Sequence, residues 1–128
     1  MDLAKYDITQ KANDGADLVL EHPVTGEKLD AIITLVGHDS DLYSNKIRDI
    51  AQKQINNKSK SKSVDFANAE RQSAELLASC TIGWKNIEEG GKAVPFSKDA
   101  CFQMYLKYKW IREQVDNFVG DRGNFFTE

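Results

Sequence analysis

The sequence predicts an α+β fold, mostly helical: an N-terminal antiparallel β-hairpin or three-stranded meander followed by three to four α-helices. Three observations carry this. Two β-branched and aliphatic runs, Ala16–Leu20 and Leu29–Val36, flank the turn cluster His22-Pro23-Val24-Thr25-Gly26-Glu27. Beyond Gly37 the apolar residues switch to helical spacing. The chain has 128 residues, 41% hydrophobic and 29% charged, which suits one domain, 1–128, with its own core.

In the hairpin region, 1–37, a type I turn at Val24-Thr25 closed by a bulge at Gly26 is the expected connection. Along the second strand Leu29, Ala31, Ile33 and Leu35 share one side and form the cleaner core face. Tyr6 to Ala12 is a candidate third strand, because Asn13-Asp14-Gly15 is another turn signal. A lone hairpin is marginal in water, so the sheet must pack on the helices that follow.

Asp39-Ser40-Asp41 offers capping oxygens to a helix over 39–57, whose apolar positions are Tyr43, Ile47, Ile50, Ala51 and Ile55. Lys58 to Ser63 alternates Lys and Ser without an apolar face, so 58–63 reads as a solvated linker or a frayed helix end. A helix over 64–84 follows, sparse in apolar residues until Leu76-Leu77 and Cys80, where it enters the core. Glu88-Glu89-Gly90-Gly91-Lys92 is a loop by composition. Ser97 is the expected N-cap of a helix over 97–120, with Asp99 near its positive end. Cys101, Met104, Tyr108, Ile111, Val115 and Phe118 mark one stripe, and Phe102, Leu106 and Trp110 a second. So wide a face suggests a break near Lys107-Tyr108 that makes two helices. Gly120 is the natural stop, and 121–128 is a tail.

Composition and motifs exclude several functions. A net charge of −3 and an isoelectric point near 5.4 argue against a dedicated nucleic-acid binder. Lys58, Lys60 and Lys62 read either as linker or as a weak phosphate-contacting arm, with Asp65 and Glu70 diluting the field. The longest apolar run, Ala31 to Val36, is far below the ~20 residues of a membrane helix, and Met1 to Lys5 lacks a secretory signal's apolar core. Neither histidine, His22 or His38, sits in a metal-ligand spacing, and Cys80 and Cys101 read as buried thiols whose spacing demands no bridge. No P-loop or dinucleotide fingerprint follows a strand. The expectation is a protein without catalytic residues, metal or cofactor. Aromatic residues concentrate in the last third; most belong to a core around the terminal helix. Trp110 and the Phe125-Phe126 pair are harder to bury and are either core or partner anchors. The partner-binding candidates are therefore Tyr105, Tyr108, Trp110, Ile111, Phe125 and Phe126, with the tail expected to dock near Trp110 and the wide helical stripe expected to drive self-association.

The order of several motifs supports a resemblance. His22-Pro23-Val24-Thr25-Gly26-Glu27 is followed by Gly37-His38-Asp39-Ser40, then by Glu75-Leu76-Leu77-Ala78 running into Trp84. A glycine-rich loop, Val94-Pro95-Phe96-Ser97, Trp110-Ile111-Arg112-Glu113-Gln114-Val115 and Asn124-Phe125-Phe126 complete the series. From about Leu18 to Phe126 the chain resembles the tail assembly chaperones and related minor tail proteins of long-tailed bacteriophages; the Lys-Ser repeat lies outside the pattern. The resemblance implies a non-enzymatic assembly factor of the host cytoplasm that binds the hydrophobic, helical tape measure protein and keeps it soluble while the tail tube assembles. It also implies a homo-oligomer, and a longer frameshifted form able to reach the tail tube protein; neither a membrane nor nucleic acid is an expected partner. Two other classes compete with it: a structural tail or neck protein retained in the virion, and a small nucleic-acid-binding regulator.

Overall fold

The computed structural model describes residues 1–56 and 66–126; the expected Lys-Ser linker at 58–63 lies outside them. After a 3₁₀ turn, Leu3–Tyr6, a short helix α1 spans Thr9–Asp14. The candidate strand over Tyr6 to Ala12 is thus helical. Asp2 and Asp7 accept hydrogen bonds from the amides of Ala4 and Thr9, so local side-chain capping turns this segment before any sheet edge is available.

Strands β1 (Ala16–Glu21) and β2 (Lys28–Leu35) form the hairpin. Its turn is built as its residues suggest: Gly26 takes φ 73° and its amide donates to the His22 carbonyl. His22 has a structural role, since its Nδ1 accepts from the amides of Val24 and Thr25. Along β2, Ala31, Ile33 and Leu35 are buried and Leu29 is partly so, the core face expected from alternation.

The third strand comes from elsewhere. Helix α3 (Phe66–Ser79) stops short of the expected 84, and β3 (Thr81–Lys85) pairs antiparallel with β2, giving the order β1-β2-β3. The helix stops at Ser79 because its terminal carbonyls are taken by side chains. Lys98 Nζ donates to the carbonyls of Ala78, Ser79 and Thr81 at 3.2, 3.3 and 2.6 Å, and Thr81 Oγ1 donates to the Leu77 carbonyl. Helix α2 (Asp41–Asn56) begins at the expected cap, where Ser40 Oγ accepts from the Tyr43 amide. It lies against α3, with Lys46 Nζ 3.6 Å from Glu75, and contributes little to the core: Tyr43 and Ile50 are half-buried, while Ile47, Ala51 and Ile55 are exposed.

A small second hairpin, β4 (Glu88–Glu89) and β5 (Lys92–Ala93), occupies the glycine-rich loop. Then α4 (Lys98–Lys107), capped by Ser97, and α5 (Lys109–Gly120) meet at Tyr108, which leaves the helical region at φ −109°, ψ 89°. The break frees the carbonyl of Tyr105, and the buried Arg112 reaches back from α5 to donate to it at 3.1 Å. The core lies between the sheet and α3–α5 and includes Leu20, Ile33, Leu35, Leu77, Tyr105 and Val115.

Candidate functional site

The break at Tyr108 gives α4 and α5 different faces toward the sheet, and the space left between them is an open groove of about 600 Å³. Its floor is apolar: Leu20 and Ala31 from the sheet, Met104 from α4 and Ile111 from α5. Tyr108 and Trp110 line it from the helices, and Ile87, Glu88, Glu89 and Val94 line it from the β4–β5 hairpin.

Polar side chains pair where the hairpin reaches the helices. Glu89 Oε2 accepts from Tyr108 Oη at 2.7 Å and from Lys107 Nζ at 3.3 Å. These two donors, Tyr108 first, hold the Glu89 carboxyl below its usual range, and the same carboxylate pushes the Lys107 ammonium up. A groove with an apolar floor and a few polar groups has the make-up of a binding site. Among the described residues no cluster of His, Cys, Asp or Glu has the form of a metal site, and no helix is long and apolar enough to cross a membrane.

The six candidate residues separate. Tyr108, Trp110 and Ile111 line the groove together. Tyr105, one turn before Tyr108, is fully buried in the core. Its hydroxyl donates to Thr81 Oγ1 at 2.8 Å, because the single Thr81 hydroxyl proton is already committed to Leu77. Tyr105 is a core residue and no contact surface, and Ile111, at 7% exposure, offers only one edge to the groove floor. The expected self-association surface around Tyr105, Tyr108, Trp110 and Ile111 is accordingly reduced to Tyr108 and Trp110. The break at Tyr108 divides the helical surface on which the four were expected together.

The C-terminal pair docks, though away from Trp110. A 3₁₀ turn, Arg122–Asn124, capped by Asp121, folds the chain back. Phe125 is buried edge-to-face on Phe118, ring centroids 5.4 Å apart, and its ring covers Gly37. Phe126 lies with Lys11 Nζ 4.6 Å above its ring. Phe125 is therefore core, and only Phe126 retains partial exposure. The hairpin wall of the groove escaped sequence reasoning, since Glu88 to Lys92 reads as loop; the signal was Gly90-Gly91 between two short polar pairs.

The described thiols of Cys80 and Cys101 are free and buried, and burial pushes both up, Cys80 to about 11. Of the two histidines, His38 sits half-buried with Nδ1 3.9 Å from Asp39, and neither faces the groove.

A family model described as YdaY prophage protein matches residues 39–122, more than half of the chain. The matched stretch carries the hairpin wall and both helices of the groove and stops short of β1 and β2, which supply part of its floor. No curated protein and no solved structure matches the chain.

Proposed function

The chain belongs to the YdaY prophage protein family, and from that premise we propose that it is a phage tail assembly chaperone, binding the hydrophobic tape measure protein and keeping it soluble while the tail tube forms. The observation that carries this reading is the apolar groove walled by Tyr108 and Trp110, open to solvent and large enough to take side chains from one face of a helix. The phage origin of the family supports it, as does the order of motifs from Leu18 to Phe126. The protein is then no enzyme and uses no cofactor. It works in the host cytoplasm, as a homo-oligomer whose copies present the groove repeatedly along a long client. A longer frameshifted form would add a contact to the tail tube protein.

Co-expression with the phage's own tape measure protein tests this. The wild-type chain should raise the soluble fraction of the tape measure protein and co-purify with it. Trp110→Ala should lose both effects while retaining the far-UV circular dichroism of the wild type. An equally insoluble client in the presence and absence of the wild-type chain would overturn the proposal, as would Trp110→Ala acting like wild type. Recovery of the chain in purified virions would favour a structural tail protein instead.

A further inference from the structure

The β4–β5 hairpin is joined to the rest of the molecule unlike any other element. Every residue of its two strands is exposed, and its tip, Gly90-Gly91, takes positive φ at both positions, 62° and 80°, the geometry of a tight two-residue turn. At its root Asn86 is the one described non-glycine residue with positive φ, 61°, and Pro95 stiffens the other side. Asn86 Nδ2 donates to the Asp30 carbonyl, and Trp84 Nε1 donates to the Val94 carbonyl at 2.9 Å. Above this anchored root the hairpin closes on itself through Val94 N to Ile87 O. Ile87 at its base packs against the core, and its strands reach the helices through Glu89, bonded to Tyr108 Oη and Lys107 Nζ. Those two partners sit at the α4–α5 break, and the hairpin's inner side is a wall of the groove.

We propose that the hairpin strands, 88–93, are a flap that regulates the groove, latched by Glu89 to Tyr108 and Lys107 and swinging about Ile87 and Val94 when a partner enters. This rests on the groove being the client site and says how that site is opened. The strength of the latch fits such a role. The Glu89–Lys107 pair is more than half exposed on both sides, and exposed ion pairs contribute little. Its loss therefore changes the open population severalfold rather than completely. The anchor at Asp30 and Trp84 confines the motion to the hairpin and leaves β2 and β3 in place.

Dye binding to the full chain, with amide hydrogen exchange followed at 86–95 and across β2 and β3, tests the flap without any client. Tyr108→Phe and Glu89→Ala should each raise the fluorescence of the apolar dye 1-anilinonaphthalene-8-sulfonate severalfold, while the amides of Val94, bonded within the hairpin, and of Ile33 and Leu35 keep their wild-type exchange. The Tyr108→Phe variant keeps the ring in the groove wall, so its effect reports the latch and not the lost lining. Unchanged dye fluorescence in both variants would overturn the proposal. So would accelerated amide exchange over the whole sheet, which would make the contact a support of the global fold. Adding the tape measure protein then separates the two readings. Protection of Trp110 and its neighbours with no change at 86–95 keeps the groove and rejects the flap. A latch-dependent flap that does not respond to the tape measure protein keeps the flap and rejects that client.

Discussion

Arg122 and Asp39 clasp the two ends of the helical region: Nε lies 2.7 Å from Oδ2 and Nη2 3.1 Å from Oδ1. The pair ties the turn after α5 to the start of α2, alongside the bond from the His38 amide to the Val119 carbonyl. The hydrogen bond from Arg122 holds the Asp39 carboxyl below its usual range, with lesser help from His38. A lowered folded-state value means that the stabilisation is present above the ordinary carboxylate range and disappears as pH falls through the depressed value. Urea denaturation of wild type and Arg122→Gln between pH 3 and 7 (about the range of ordinary carboxylate titration) should show a smaller acid loss in the variant. Parallel curves would reject the linkage.

Tyr105 gives a second prediction. Tyr105→Phe should cost about 1 kcal/mol, the net value of one buried neutral hydrogen bond, since Thr81 keeps its bond to Leu77. Tyr105→Ala should cost about 3–5 kcal/mol through the cavity. Neither change should alter client binding beyond the loss of folded protein, as measured by denaturant midpoints and pull-down from the soluble fraction. A selective loss of binding in Tyr105→Phe would return this residue to the contact surface.

Gly37 and Phe125 form a matched pair. A Cβ at Gly37 would stand 3.0 Å from Phe125 Cδ2 and 3.2 Å from Ala12 Cβ. Gly37→Ala should destabilise by about 1–3 kcal/mol through overpacking, and Phe125→Ala by about 3 kcal/mol or more. The double variant should cost less than the sum, because removing the ring makes room for the methyl. Strict additivity in thermal or urea unfolding would show that the two sites do not share the space.

Cys80 and Cys101 should react slowly with Ellman's reagent in the native protein and quickly in urea. Burial is the first cause of the raised values, so the folded state prefers both thiols protonated. The preference is fully present below the ordinary thiol value of 9.0 and is lost as pH rises toward about 11 for Cys80. Stability should therefore fall across that alkaline window, less steeply in Cys80→Ala. Fast labelling of the folded chain at neutral pH would contradict this.

The hairpin of β1 and β2, the Ser97 cap, the buried face Ala31-Ile33-Leu35 and the break at Tyr108 were legible because each rests on local chemistry: turn residues, a capping oxygen, alternation, an overwide apolar stripe. Strand β3 was not legible as strand. Thr81-Ile82-Gly83-Trp84 falls inside the expected helix bounds of 64–84, and Lys98, distant in sequence, takes the Ala78 and Ser79 carbonyls at the helix end. The split of the candidate residues was hidden for the same kind of reason. Tyr105 and Tyr108 lie one turn apart in sequence, and the backbone break with Arg112 behind it leaves one in the core and the other at the groove. Phe125 was misplaced because the tail's destination depends on Gly37, whose missing side chain carries no pattern of its own.

The outer border of β1 is closed at one point by a side chain imitating a strand. Gln114 of α5 accepts from the Glu21 amide at 2.9 Å and donates to the Glu21 carbonyl at 2.8 Å, the two bonds a neighbouring backbone would make. An unpaired strand border is a template for another chain, and this carboxamide occupies one rung of it. On the opposite border, β3 carries a register irregularity between Thr34 and Leu35 of its partner and the open Gly83, which spoil a flat template. Both borders of the sheet are thus made poorer templates for a further strand by features of the chain itself.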